Sequence, residues 1–212
     1  MLVLASASPR RRDLLSQAGY AFEVLSADVC EDVRSGETPI SYVLRLAREK
    51  ADAVAASTEF AALRRERDDP AIILGADTTV VAPNGEILGK PEDDADATRM
   101  LRLLAGATHK VVTGVALVAP TGNDVITEVA AEVTWVTMLT PDDEELAAYI
   151  ATGEPRGKAG AYAIQGRAAR WIPRIHGCYF NVVGLPLALV ASMMEGVEQR
   201  LRAGVAPQVV VP

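Results

Sequence analysis

Apolar positions along the chain recur at two periods, and most elements can be read from them. The run Leu2–Ala5 is apolar throughout and predicts a strand. It gives way to Ser6-Ala7-Ser8-Pro9, where Ser8 is the expected N-cap and Pro9 the first residue of a helix reaching Ala18 and stopping at Gly19. Phe22–Leu25 reads as a second strand, and the polar, acidic stretch Ala27–Thr38 as a loop. Pro39 opens a long helix with Val43, Leu46, Ala47 and Val54 on one face. Lys50 falls on that same face. It is either a lysine whose stem passes the core on its way to water or one aimed at a site. The charged stretch Glu59–Asp69 either finishes this helix or forms a solvated loop.

The most strand-like run is Ala71–Val81, apolar at nearly every position, with Asp77 inside it. A carboxylate there requires a cation, a metal or backbone donors; the alternative is a turn or capping aspartate at a break in the strand. Pro83-Asn84-Gly85 predicts a hairpin returning through Glu86–Leu88 to Gly89-Lys90-Pro91. Lys90 is then either positioned by a rigid backbone or an ordinary loop lysine. A helix over Asp94–Ala105 follows, with Gly106 as its stop. Two strands are expected over Thr108–Val118 and Asp124–Leu139, the second with Val125, Val129, Val133 and Trp135 on one face. Thr140-Pro141 should open a short helix through Tyr149 that ends at Gly153. Gly153–Gly184 is rich in glycine and reads as short strands alternating with tight loops, with Lys158, Gln165 and Asn181 set among small residues. Pro186–Arg202 is the closing helix, and 203–212 a frayed tail.

Composition narrows the classes. Half of the 212 residues are hydrophobic, enough for a sizeable core in one domain over 1–212, and no apolar run is long enough to span a membrane. No basic-then-apolar leader precedes the first strand, so a cytoplasmic protein is expected. The net charge of −7 argues against broad nucleic-acid binding but allows a small anionic ligand at a local basic site. Cys30 and Cys178 lack metal-type spacing, and His109 and His176 read as hydrogen-bonded structural residues rather than ligands.

The candidate chemistry lies in what remains. There is no phosphate-binding GxxxxGK[ST] loop, no GxGxxG after a strand, no HExxH, no paired CxxC and no GxSxG elbow. The helix start offers the hydroxyls of Ser6 and Ser8 and the guanidiniums of Arg10, Arg11 and Arg12, all suited to anionic oxygen. Asp77 and the acidic loop containing Glu31 supply carboxylates that bind Mg²⁺ or position water, and lysines neutralise phosphate oxygens as charge moves to a leaving group. The set suits metal-assisted cleavage of a phosphoanhydride.

The motifs LASASPRRRDLL (4–15), YVLRLAREKA (42–51), GADTTVV (75–81), LGKP (88–91), GEP and KAGAYAIQG within 153–166, and NVVGLP (181–186) resemble the Maf family of nucleoside triphosphate pyrophosphatases over nearly the whole chain. The resemblance implies an α/β fold of the Maf/inosine-triphosphatase type, a long mixed twisted sheet flanked by helices in two lobes with a central cleft, often as a homodimer. It implies hydrolysis between the α- and β-phosphates to a monophosphate and pyrophosphate with a divalent cation, Mg²⁺ or alternatively Mn²⁺ or Co²⁺. By position, Asp77 matches the family's proton acceptor, and Glu31, Lys50 and Lys90 match residues around triphosphate and metal. Ser6, Ser8, Arg10 and Arg11 would grip the substrate. The combination of Arg10, Thr78 and Gln165 resembles the dTTP/UTP branch, with modified pyrimidine triphosphates as further substrates and the house-cleaning of nucleotide pools as the role. Competing readings are a pyrophosphatase for 7-methyl-GTP or another purine, and a nucleotide-sensing regulator of cell division, since the family's early name refers to septum formation.

Overall fold

The computed structural model describes residues 1–26, 28–67, 70–122 and 124–204. The expected tail, and the Ala27, Asp68, Asp69 and Asn123 positions of the expected loops, lie outside the described residues from 205 onward or at those points. Seven strands form one mixed sheet: β1 (Leu2–Ala5), β2 (Phe22–Leu25), β3 (Ile72–Val81), β4 (Ile87–Leu88), β5 (Thr108–Thr121), β6 (Asp124–Thr137) and β7 (Arg174–His176). Their order is β2-β1-β3-β5-β6-β7, with β4 paired to β3. β1 runs parallel to both β2 and β3, whereas β4 on β3 and β7 on β6 are antiparallel. The helices are α1 (Pro9–Gln17), α2 (Pro39–Ala55), α3 (Thr58–Glu66), α4 (Asp94–Leu104), α5 (Asp143–Ala151), α6 (Tyr179–Val183) and α7 (Leu187–Ala203). This is the mixed α/β architecture that the resemblance implies.

The chain divides into two compact units. The first comprises Met1–Asp77, Gly114–Ala131 and the part from Leu185 onward; the second comprises Thr78–Thr113 and Glu132–Gly184. The core of the first unit is rich in alanine: Ala5, Ala47, Ala51 and Ala116 pack with Val3, Ile73 and Phe60. Small side chains let α2 lie close to the sheet, and two glycines bring it closer still. A Cβ on Gly75 of β3 would lie 2.0 Å from the Ala47 carbonyl oxygen, and one on Gly114 of β5 would lie 2.3 Å from that of Val43. Ala47 and Val43 are one helical turn apart, so α2 rests its backbone directly on two neighbouring strands. The second unit has a bulkier core, built from Leu88, Leu101, Leu104, Val136, Met138 and Trp171. Each fully buried Leu contributes about 1.5–3 kcal/mol relative to exposure.

Four local expectations are corrected. The charged stretch after α2 is a separate helix, because the Ser57 hydroxyl accepts from the Phe60 N–H at 3.1 Å and starts α3. The cap of α5 is Asp142 rather than Thr140: its carboxylate accepts from the Glu145 N–H, and Glu145 reaches back to the Asp142 N–H. The face of β6 bearing Val125 and Trp135 is its more exposed one, these two residues being 47% and 42% exposed, while Ile126, Thr134 and Val136 are buried. Trp135 is covered instead by the Lys110 ammonium, 4.6 Å from its ring centre. Finally, Gly153–Gly184 contains one short strand, β7. Its remainder is 3₁₀ turns at Ala159–Ala161 and Arg167–Trp171 and the short helix α6, since small residues and glycines at positive φ favour turns over a ladder. Among the described residues no helix is long and apolar enough to cross a membrane.

Candidate active site

Asp77 projects from the same face of β3 as Gly75, because side chains two apart along a strand share a face. The close seating of α2 at Gly75 therefore brings the next turn of that helix, with Lys50, up to Asp77. The Lys50 Nζ donates to Asp77 Oδ1 at 2.6 Å and to Glu31 Oε1 at 2.7 Å. Of the side chains, that of Lys50 is 13% exposed, that of Asp77 10% and that of Glu31 39%. Both readings of Lys50 thus resolve to the pointed one: its stem passes the apolar face and its ammonium ends between two carboxylates. β3 runs through Asp77 without a break, so this residue is no turn or cap.

The loop carrying Glu31 is fastened to α2. The Tyr42 hydroxyl donates to the Glu31 carbonyl at 2.8 Å, and Arg45 Nη2 donates to the Asp32 carbonyl at 3.0 Å. Arg45 also grips Glu37 with two donors, Nε to Oε1 at 2.5 Å and Nη2 to Oε2 at 2.8 Å, a planar bidentate pair. These bonds, with the bond from the Arg34 N–H, hold the Glu37 carboxyl down at about 2, against an ordinary value near 4.5. Burial raises the Tyr42 phenol to about 12, with the negative charges of Asp77 and Glu31 adding to it. Sequence reasoning missed Tyr42, Arg45 and Glu37. No spacing rule links Tyr42 to the Glu31 carbonyl or Glu37 to Arg45.

At the start of α1, Ser8 occupies the N-cap position but makes no side-chain cap. Just ahead of it, the buried Ser6 hydroxyl accepts from the Ser8 N–H at 3.3 Å and from Arg11 Nη1 at 3.1 Å. Arg11 is buried. Burial lowers its pKa first, the charge of Asp77 opposes that, Arg10 adds to the lowering, and Glu31 again opposes it. Burial likewise lowers Arg10. Lys50 bridges the two carboxylates, and Arg11 lies within electrostatic reach of both and of Arg10. Cations beside carboxylates suit a polyanion bound with a cation.

The predicted residues of the second unit are placed by turns. The Gly160 N–H donates to the Gly89 carbonyl at 3.1 Å, tying the exposed Lys90 loop to the turn after Lys158. Gly160 and Ala161 both have left-handed φ, 66° and 61°, and a Cβ on Gly160 would press on Val80. Ala161 is the one described non-glycine residue at positive φ, a conformation that costs about 1–2 kcal/mol and persists where surroundings enforce it. Thr78 Oγ1 lies 2.9 Å from Thr113 Oγ1 and donates to the Gly184 carbonyl at 3.3 Å. Asn181 extends this network, donating from Nδ2 to Thr134 Oγ1 and the Val111 carbonyl. Gln165 is exposed, at the corner of a turn closed by the Gly166 N–H on the Ala163 carbonyl. His109 is buried and its Nε2 lies 2.8 Å from the Tyr162 hydroxyl, in keeping with a structural role.

The donor set can be tested against a divalent cation. No group of three or more His, Cys, Asp or Glu side chains stands ready to hold a metal among the described residues. Two carboxylates, Asp77 and Glu31, do converge on one ammonium. That is too few for an all-protein Ca²⁺ cage but fits Mg²⁺, which is held by one or two carboxylates and completes its shell with water and substrate phosphates. Chemically, the first unit offers a nearly buried carboxylate next to strand backbone, a lysine bridging it to a second carboxylate, and paired arginines.

Comparison with known proteins identifies relatives. A dTTP/UTP pyrophosphatase from Koribacter versatilis is 50% identical over 96% of this chain and 95% of its own length. One from Pelotomaculum thermopropionicum is 49% identical over 92% and 95%, and one from Geobacter sulfurreducens 50% over 90% and 93%. The solved structure of the Staphylococcus aureus Ham1 protein is similar at a TM-score of 0.41 and 16% identity, covering 92% of this chain and 98% of that one. The family model described as Maf-like protein matches residues 1–197, and the chain belongs to that family.

Proposed function

We propose that the chain hydrolyses dTTP and UTP to the monophosphate and pyrophosphate, with Mg²⁺ as the working cation. The observation that carries this reading is the convergence of Asp77 and Glu31 on Lys50 in a nearly buried place. Relatives that are about half identical over nearly the whole chain and share the name dTTP/UTP pyrophosphatase support the substrate. In this reading Asp77 accepts a proton from the attacking water, whose oxygen bonds to phosphorus while the bond between the α- and β-phosphates breaks. Asp77 and Glu31 are the residues that would hold the cation. Bound there, Mg²⁺ neutralises phosphate charge and acts as a Lewis acid. Lys50 orients Asp77 through their hydrogen bond, and Arg10, Arg11 and Ser6 bind phosphate oxygens. Lys90 neutralises charge on the leaving pyrophosphate. Gln165 offers the base an N–H donor and a C=O acceptor, matching the N3–H and carbonyl edge of a pyrimidine dione. Thr78 fixes the backbone beside Asp77 through Thr113 and Gly184.

The test is a turnover panel with Mg²⁺ over dTTP, UTP, CTP, 5-methyl-UTP, GTP, 7-methyl-GTP and ITP, with products separated by chromatography. Selective conversion of dTTP and UTP to monophosphate and pyrophosphate is expected. Release of orthophosphate overturns the bond assignment, a purine preference overturns the substrate, and absence of all turnover overturns the enzymatic reading.

A further inference from the structure

Within the second unit, one side chain outside the proposed reaction controls the turn that presents Gln165. Glu154 follows α5, and three separate bonds fix it. Its N–H donates to the Thr152 hydroxyl at 3.1 Å, its carbonyl accepts from the Lys158 ammonium, and its carboxylate Oε2 accepts from the Arg167 N–H at 3.1 Å. The carboxylate also fills the space where residue 166 would have a side chain. A Cβ on Gly166 would lie 2.0 Å from Glu154 Oε1 and 2.4 Å from its Cδ. A side chain at 166 would therefore have to displace the Glu154 carboxylate. Oε1 is buried. Burial first, then the charge of Glu154 and a side-chain hydrogen bond with it, push the Tyr149 phenol upward against a backbone hydrogen bond at Ala163, so the carboxylate and the hydroxyl interact.

We propose that Glu154 is a positioning residue for base selection: its carboxylate, seated under Gly166 and bonded to the Arg167 N–H, holds the 163–167 turn in the one arrangement that presents the Gln165 amide to the base. The inference rests on the role proposed above for Gln165. The carboxylate accepts from the Arg167 N–H and interacts with the Tyr149 hydroxyl. A glutamine still supplies an acceptor to Arg167, and its NH₂ can donate to the Tyr149 oxygen with the hydroxyl turned away. Alanine supplies neither and leaves a void beneath the turn.

The experiment compares Glu154→Ala, Glu154→Gln, Gly166→Ala, Gln165→Ala and the Glu154→Ala/Gln165→Ala pair. It reads kcat/KM for UTP against CTP, inhibition by inorganic tripolyphosphate (phosphates without a base) and hydrogen exchange at the Arg167 amide. Glu154→Ala and Gly166→Ala should each lower the UTP/CTP ratio by about tenfold, the scale of one lost hydrogen bond. The pair should fall no further than Gln165→Ala alone, because both changes remove the same contact. Glu154→Gln should retain most of the ratio, tripolyphosphate inhibition should stay within about twofold, and exchange at Arg167 should speed up in Glu154→Ala but not in Glu154→Gln. An unchanged ratio in Glu154→Ala, effects that multiply in the pair, or a parallel loss of tripolyphosphate inhibition overturns the proposal. If the wild-type protein turns over no pyrimidine triphosphate, both this inference and the function beneath it fall; wild-type selectivity with an unaltered ratio in the variants overturns this inference alone.

Discussion

The first unit places its chemistry with charge on regular elements, and the second places its own with backbone on turns. Glu31, Lys50 and Asp77 stand on a fastened loop, a long helix and the middle of a strand, and ion pairs join them. Lys90 and Gln165 stand on loops whose shape comes from Gly89, Gly160 and Gly166 and from single N–H bonds to carbonyl or carboxylate oxygens. A constellation on rigid elements keeps its geometry as charges change. One on turns can be re-aimed by a single substitution. That division predicts that changes in the first unit should cost catalysis, and changes in the second should cost discrimination.

The largest effect should come from Asp77→Asn. The amide keeps the shape and can stay beside Lys50, yet it cannot accept the proton. General-base catalysis contributes about 10² to 10⁴-fold, so turnover of UTP should fall by at least roughly 10²-fold while nucleotide binding, measured by calorimetry, survives. Near wild-type turnover would remove Asp77 from the mechanism and collapse the comparison at its strongest point.

Next in size is Gly75→Ala, which breaks the seating of α2 without touching a charge. The new Cβ would meet backbone at Ala47, which cannot swing aside as a flexible side chain can. Overpacking of this kind costs about 1–3 kcal/mol, and urea unfolding should show a loss at the upper end of that range. Turnover should fall with it, because Lys50 is carried by the displaced helix. Unchanged stability would mean that α2 is not held by this contact.

How much of this was legible follows the same division. The 3.6-residue period put Lys50 on the buried face of α2, and the cost of burying a carboxylate marked Asp77 as a residue needing a partner. Which residue answered it depended on β1, β3 and α2 being neighbours, and sequence distance carries no such information. The turn chemistry was harder. Residues 153–184 have neither period, and their shape is decided by positive φ at Gly160 and Ala161 and by long-range bonds such as Gly160 to Gly89. Ser57 is a local start signal just ahead of the charged stretch Glu59–Asp69, whose lack of an apolar period leaves helix end and loop both open. On β6 the period of two groups Val125 with Trp135 but does not say which face of the pleat is buried.

A third effect, smaller again, concerns the core under the second unit's turns. Burial holds the His109 imidazole down to about 4, against an ordinary 6.5. Between those values the unfolded chain binds a proton that the folded chain refuses. Its contribution to stability is therefore complete above 6.5 and is lost progressively as pH falls through the window to 4. The loss amounts to about 2 kcal/mol by pH 5. His109→Gln removes the titration and keeps a partner for the Tyr162 hydroxyl. Urea unfolding at pH 7.5 and 5 should show a drop for the wild type that exceeds the variant's by about that amount, and equal drops would mean that His109 is reached by solvent.

The smallest effect expected is the most discriminating. Gln165→Glu changes one exposed side chain in the second unit and leaves the Asp77 cluster untouched. An amide meets the uracil edge with a donor for a carbonyl and an acceptor for N3–H, whereas a carboxylate has acceptors only and faces one carbonyl oxygen unpaired. Guanine presents N1–H and an amino group side by side, which a carboxylate can accept together. One hydrogen bond lost and one gained should lower kcat/KM for UTP by about tenfold and raise the ratio of 7-methyl-GTP to UTP by more than that. Turnover of whichever nucleotide binds should stay within a few fold at saturation, since Asp77 and the lysine beside it are unchanged. A loss of kcat for every nucleotide alike would show that the turn serves catalysis as well as choice, and the contrast between a catalytic first unit and a selective second one would fail on that result.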